Sequence, residues 1–414
     1  MGKMIARDHL LARGKFADRA NRFLGKAWDR GWLPEATVEP EAVWLAAAKS
    51  AGIKTAERAI DAETAQRSES EIEDFRLRLS KLCEAINSEA KLNPLGRAMA
   101  FGQLTRVVAQ RLSFGDFWQR EPDLAHTQIA PPILIIGHMR SGTTRIHKLL
   151  AADPAHSHTR YCDAWHPVPR TPDLRQIKSR ADLFMLETLN PWLQSIHPMA
   201  SGEVEEELAW LAGALNHSIY ESQWHIPSYS AFSEARDPEP VYRELERVLR
   251  TDAAHRKCAH RPRVMKAPQF SEDLACLLKL FPDARVVVAE RDKEAVLKSA
   301  VSLVANQMAI QSDECNLDAI TALYERKIAL RNERREAALN NWNGPIARLA
   351  FDDLTADWER EIARAYRELG MELSAEARSA MRAAMQSSES SAHHGHAEQL
   401  SRFDAQLMEA RGAA

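Results

Sequence analysis

The chain has 414 residues, 45% hydrophobic and 27% charged, a balance that suits a soluble globular protein and excludes a disordered or fibrous one. A formal net charge of −3 excludes a global positive field for nucleic acid while leaving room for local anion sites. The five cysteines (Cys83, Cys162, Cys258, Cys276 and Cys315) are odd in number and form no C-x-x-C pair, which argues against a disulfide framework or thiolate metal site and fits a reducing cytoplasm.

The opening MGKMIARDHLLARGKF carries charges where a secretory signal needs an apolar core. The longest apolar run, near PPILIIG, falls far short of the roughly 20 residues that span a bilayer, so no transmembrane segment is expected. Residues 1–128 form the first of two expected units, a helical N-terminal extension. EPEAVWLAAAKSAG, ESEIEDFRLRLSKLCEAINSEAKL and PLGRAMAFGQLTRVVAQRLSF place apolar residues at i, i+3 and i+4. This extension packs on the second unit or holds subunits together in a homo-oligomer; the sequence does not choose between the two.

The second unit, residues 129–414, changes texture at Pro131. PPILIIG is a short β-branched run bounded by Pro and Gly, as in a buried parallel strand, and TRIHKLLAAD follows with helical spacing. Between them lies Gly137-His138-Met139-Arg140-Ser141-Gly142-Thr143-Thr144. A turn of small residues between strand and helix lets backbone N–H groups and the positive helix end converge on an anion. Gly137, Gly142 and Thr144 fit the Walker pattern G-x-x-x-x-G-K-[ST], but Thr143 replaces its Lys and the cation sits earlier, at Arg140. That arrangement suits an anion shorter than a triphosphate.

Further along, residues 170–260 read as helix-rich, with a Pro-broken loop at IPSYSAF. Three more strands are expected at Arg263–Pro268, Arg285–Asp292 and Ile346–Leu354, the first two followed by helical patterns. Alternating strands and helices predict an α/β fold with a parallel sheet flanked by helices. Near the end, His393, His394 and His396 fit no metal-ligand spacing and read as a polar loop.

GHMRSGTTRIHKLLAADP resembles the 5′-phosphosulfate loop of the sulfotransferases, above all the large bacterial group, whose loop reads roughly P-R-[ST]-G-T-T-x-L-x-x-L-L. FPDARVVVAERDKEAVLKSAVSL is similar to that family's 3′-phosphate segment, with Ser299 eight residues after Arg291 and Lys293 where the family has Pro. VMKAPQF resembles its L-K-[SA]-P-x-H stretch, with Gln269 in place of His. The family's closing segment has a counterpart in AEQLSRFD, whereas the R-K-G-x-x-G motif of the animal enzymes is missing.

The resemblance implies a P-loop-like fold and transfer of a sulfuryl group from 3′-phosphoadenosine 5′-phosphosulfate to a hydroxyl or amine of a small-molecule, glycan or lipid acceptor, without metal. It implies nucleotide contacts from Arg140, Ser141, Gly142, Thr143, Thr144, Arg291 and Ser299. It gives Arg140 and Lys266 the charge that builds on the leaving group. The proton acceptor is expected at His166, which with Trp165 stands where the bacterial group has a Trp-Glu pair; His197 and the run Glu203, Glu205, Glu206, Glu207 are the alternatives. Trp192, Trp210, Trp224, Tyr220 and Tyr229 either wall an acceptor pocket or pack a core. Two rival readings remain: a nucleotide kinase or triphosphatase, disfavoured by the missing Walker Lys, and a nucleotide-binding protein without transferase activity.

Overall fold

A computed structural model describes residues 9–388. The histidines at 393–396 and the AEQLSRFD segment lie outside the described residues.

The chain opens on α1 (Lys15–Asp29), α2 (Pro40–Ser50), α3 (Ala56–Thr64), α4 (Glu69–Ser88) and α5 (Pro94–Arg120). Their ends are set by local chemistry. Ser68 caps α4 in a reciprocal box: its hydroxyl accepts from the Glu71 N–H at 3.3 Å, and the Ser68 N–H donates to the Glu71 carboxylate at 2.8 Å. The Asn93 side chain accepts from the Gly96 N–H at 2.8 Å, and Pro94 supplies a preset φ at the first position of α5.

The α/β part then runs β1 (Ile133–Ile136), α6 (Thr143–Ala152), β2 (Ser157–His158), α7 (Tyr161–Trp165), α8 (Arg175–Leu189), α9 (Leu193–Ile196), α10 (Leu208–Gly213), α11 (His217–Glu221), α12 (Pro227–Glu234) and α13 (Glu239–His255). It continues through β3 (Arg263–Lys266), α14 (Leu274–Leu280), β4 (Arg285–Glu290), α15 (Lys293–Gln311), α16 (Leu317–Asn340), β5 (Ile346–Ala350), α17 (Phe351–Ala356), α18 (Trp358–Glu368) and α19 (Ala375–Ser388).

The four strands expected from sequence form, each within a few residues of its expected bounds, and a two-residue strand, β2, joins them. All pairings are parallel, in the order β2-β3-β1-β4-β5. The segment IPSYSAF is a correction: it is mostly the helix α12, because Pro227 stands at its first position, where no N–H is needed.

Strand side chains alternate between two cores. Leu134, Ile136, Met265, Val286 and Val288 face a cluster with Trp118, Leu245, Leu249 and Leu277. Ile133, Ile135, Val264, Val287 and Leu349 face another with Leu149, Ile362, Tyr366 and Met381. Burial on both sides explains the unbroken apolar runs of these strands. A third core joins α4 and α5 to the stretch from α10 to α12: Leu79, Leu82, Leu104, Val108 and Leu112 pack with Leu215, Tyr220, Trp224 and Tyr229. The carboxyl ends of β1, β3, β4 and β5 meet at one edge of the sheet, the edge where folds of this kind bind ligands.

Candidate active site

The turn after β1 is shaped by three positive-φ residues: Gly137 at 155°, Arg140 at 69° and Gly142 at 88°. A Cβ on Gly142 would lie 2.8 Å from the Phe351 ring at the start of α17, so both conformation and space require glycine there. Arg140 holds a left-handed conformation that costs a side-chain-bearing residue about 1–2 kcal/mol. Its surroundings fix it. The Arg140 carbonyl accepts from Arg291 Nη1 at 2.7 Å, and its Nε–H donates to Ser299 Oγ at 2.8 Å. Arg291 also stacks over the Phe351 ring, with its guanidinium carbon 3.9 Å from the centroid.

Residues from four places in the sequence thus meet in one cluster: Arg140 of the turn, Arg291 after β4, Ser299 on α15 and Phe351 after β5. Burial first, then the nearby Arg291 charge, pushes the Arg140 pKa down, while Glu206 opposes the shift. A site that disfavours its own cation in this way favours an arriving anion.

Other bonds brace the turn. The Gly137 N–H donates to Ser271 Oγ at 2.9 Å, and the Ser141 hydroxyl donates to the His138 carbonyl at 2.7 Å. His138 Nε2 lies 2.8 Å from Asn332 Oδ1, a contact that makes Nε2 the protonated nitrogen. Burial drives the His138 pKa down to about 4, so the ring is neutral at working pH. Ser141 and Thr143 are buried, and Thr144 is exposed at the start of α6.

Lys266 ends β3 beside the turn. Its ammonium donates to Thr144 Oγ1 at 3.3 Å and pairs with the Glu206 carboxylate. The Lys266 backbone N–H donates to Glu207 Oε2 at 2.7 Å, and the Thr159 hydroxyl donates to Glu207 Oε1 at 2.7 Å. Burial nevertheless lifts the Glu207 carboxyl to about 7, against those bonds and the nearby Arg263. For Glu205, burial raises the pKa, but the His197 ring and the Glu206 N–H outweigh it and leave a net lowering. His197 Nε2 stands 3.8 Å from Glu205. The acidic run 203–207 is therefore divided in role: Glu207 fastens the backbone of β3, whereas Glu206 meets Lys266 at the turn.

His166 lies elsewhere. Its Nε2 is 3.0 Å from Asp182 Oδ2 on α8, which also pairs with Arg106 of α5 at 3.2 Å. The ring is thus held against Asp182 of α8, which Arg106 shares. The aromatic residues weighed as pocket walls are core residues. Trp224 Nε1 donates to Gln311, Trp210 Nε1 to the Asp163 carbonyl, and the hydroxyls of Tyr220 and Tyr229 to backbone carbonyls. Trp192 is buried as well.

Among the described residues, two groups have metal-ligand geometry: His197 with Glu205 and Glu206, and His217 with Glu234 and Glu272. A lysine answers each. Lys266 pairs with Glu206. In the second group Lys327 lies 2.7 Å from His217, 3.0 Å from Glu221 and 3.6 Å from Glu272, so an ammonium already neutralises those carboxylates.

Sequence reading missed Ser271, Asn332 and Phe351, whose roles are long-range contacts with no local signal. It named Glu206 only as one of a run.

A model of the sulfotransferase family matches residues 131–375. The omega-hydroxy-beta-dihydromenaquinone-9 sulfotransferases Stf3 of Mycobacterium bovis and Mycobacterium tuberculosis are each 27% identical over 268 residues, 60% of this chain. The match spans 65% of the length of those curated relatives. The crystal structure of sulfotransferase STF1 from Mycobacterium tuberculosis superposes with a TM-score of 0.74 at 28% identity, covering 84% of this chain and 93% of that one. Sulfotransferase STF9 from Mycobacterium avium shares the fold, with a TM-score of 0.75 at 18% identity over 91% of this chain and 97% of its own.

Proposed function

The chain belongs to the sulfotransferase family, and from that premise we propose that it moves a sulfuryl group from 3′-phosphoadenosine 5′-phosphosulfate to a hydroxyl of a small or lipid-like acceptor. One observation carries the reading: the Lys266 ammonium stands between Thr144 of the anion turn and the Glu206 carboxylate. Cation, anion cradle and base candidate are then in a single chain of contacts.

The residues fit the donor. Loop amides and the N-terminus of α6, with Ser141, Gly142, Thr143, Thr144 and Arg140, suit a 5′-phosphate. Arg291 and Ser299, at the end of β4 and on α15, suit a 3′-phosphate. Their bonds to Arg140 in the free protein keep these donors in place, and a nucleotide would exchange those bonds for phosphate contacts.

In the transfer, the acceptor oxygen bonds to sulfur while the bond from sulfur to the bridging phosphate oxygen breaks. The electron pair stays on that oxygen, where Arg140 and Lys266 meet the growing charge. The acceptor proton goes to Glu206, which we assign as base in preference to His166 because Glu206 contacts the Lys266 that touches the turn. The products are a sulfate ester and adenosine 3′,5′-bisphosphate. A lipid-like alcohol is favoured as acceptor because the Stf3 relatives are named for a menaquinone derivative. The free cysteines fit a cytoplasmic enzyme.

The test is transfer of radiolabelled sulfate from the donor to a panel of hydroxylated lipids, sugars and phenols. Transfer to one acceptor class, dependent on Glu206 and Lys266, is the expected result. Tight binding of adenosine 3′,5′-bisphosphate with no transfer to any acceptor would favour a binding protein of the same fold.

A further inference from the structure

A cavity of about 540 Å³ opens between α5 and the segment leading into α8. It shares no lining residue with the turn at 137–144 or with Lys266, Arg291 and Ser299. Arg106, His166, Arg170, Arg175 and Lys178 line it, and no aspartate or glutamate does. Val168, Leu174 and Ala109 give it an apolar side.

The cations sit where helix physics opposes them. Arg175 and Lys178 occupy the first turn of the 15-residue α8, which has no acidic residue in that turn. The positive end of a helix dipole disfavours such charges. For Arg175 local chemistry offsets it: burial lowers its pKa, but Asp173 and Asp163 outweigh burial and leave it raised. Asp173, outside the lining, accepts from the Arg175 backbone N–H at 3.0 Å and pairs with its guanidinium, as does Asp163 from the buried side. Asp182, a turn further on, is shared by Arg106 and His166. Arg170 and Lys178 have no carboxylate within ion-pair distance among the described residues; Arg170 donates to the Ser113 hydroxyl at 3.5 Å. In the same cavity, Thr105 Oγ1 is buried with no hydrogen-bond partner among the described residues. Arg170 and Lys178, both exposed and outside any ion pair among the described residues, and the unused Thr105 hydroxyl beside them, offer charge and a donor to an entering anion.

We infer that this cavity is a second anion site, taking the phosphate or sulfate monoester group of a small amphiphilic molecule, with Arg170 and Lys178 as its contacting cations. The inference does not depend on the reading of the nucleotide turn.

The test is calorimetric titration of the full chain with glucose 6-phosphate, inorganic phosphate and octyl sulfate. Each is run with and without saturating adenosine 3′,5′-bisphosphate. A parallel arm measures co-sedimentation with phosphatidylcholine vesicles containing phosphatidic acid. At least one probe should bind equally well with the nucleotide present. Arg170→Glu and Lys178→Glu should each weaken it tenfold or more, with nucleotide affinity kept. Response to soluble probes alone identifies a free monoester as ligand, and response to vesicles alone identifies a lipid headgroup. Absence of binding in every arm, binding abolished by the nucleotide, or unchanged affinity in both variants would overturn the proposal. Should the protein fail to bind the nucleotide, the reading of the turn falls, while the comparison of wild type and variants still decides the cavity.

Discussion

Glu206→Gln tests the proposed proton transfer with the shape of the site largely kept. The amide keeps the size of the carboxylate and still offers an oxygen to the Lys266 ammonium, so the fold should survive. Removing one partner of a buried pair can cost 3–5 kcal/mol. Here Glu206 stays partly exposed and the amide oxygen remains, so the loss should approach that of a single charged hydrogen bond, about 1.5–3 kcal/mol. The rate effect should be larger: loss of a positioned base costs about 10²–10⁴-fold. The assay is sulfate transfer to an acceptor that the wild-type protein uses, with kcat and KM measured separately and adenosine 3′,5′-bisphosphate affinity measured by calorimetry. A fall in kcat with affinity nearly kept is expected. Wild-type turnover in Glu206→Gln would refute the assignment, and a parallel loss in His166→Ala would return the role to that residue.

Other outcomes rest on the same geometry. Ser299→Ala should reduce the preference for adenosine 3′,5′-bisphosphate over AMP by about tenfold in calorimetry, the worth of one phosphate contact of about 1.4 kcal/mol. Gly142→Ala should lose about 1–2 kcal/mol through backbone conformation alone and more through the Phe351 contact, read as a lower denaturation midpoint; adding Phe351→Ala should recover only the second part. Glu207 binds its proton more tightly when folded, up to a pKa of about 7, so its contribution is complete at low pH and is lost as pH rises from the ordinary carboxylate range through 7, by about 3 kcal/mol at most. His138 and His158, driven down to about 4 by burial, act in the opposite sense, adding stability as pH rises toward 6.5. The difference between melting curves of wild type and Glu207→Gln from pH 5 to 7.5 isolates the carboxyl, and a flat difference would contradict it.

What the sequence disclosed was local. The turn at 137–144 is eight consecutive residues between a strand and a helix, so its chemistry is readable without the fold, and the strand ends at Lys266 and Arg291 carry similar short signatures. The base candidate was harder. Glu206 reaches Lys266 across 60 positions, and nothing local distinguishes it from Glu205 or Glu207. Only the fold shows that Glu207 turns inward to the β3 backbone while Glu206 turns to the ammonium. His166 has the right residue type, and its contact with Asp182 on α8 is a long-range one that the sequence does not show. The strand β2 has only two residues and thus no periodicity to detect. Phe351 reads as part of the strand expected at Ile346–Leu354, although it opens α17 and its ring supports both Arg291 and the Gly142 turn.

The core shared between the first helices and residues 212–229 bears on the order of events on the ribosome. Leu79, Leu82, Val108 and Leu112 emerge well before Tyr220, Trp224 and Tyr229, the side chains that complete their packing. At roughly 5–20 residues per second, synthesis from Leu112 to Tyr229 takes on the order of 6–23 s. Over that interval the part of this face that Tyr220, Trp224 and Tyr229 later cover lacks its partner. A chaperone that engages such surfaces should therefore crosslink to stalled chains ending between residues 150 and 220, and release them once the stall point lies far enough beyond Tyr229 for that residue to clear the exit tunnel.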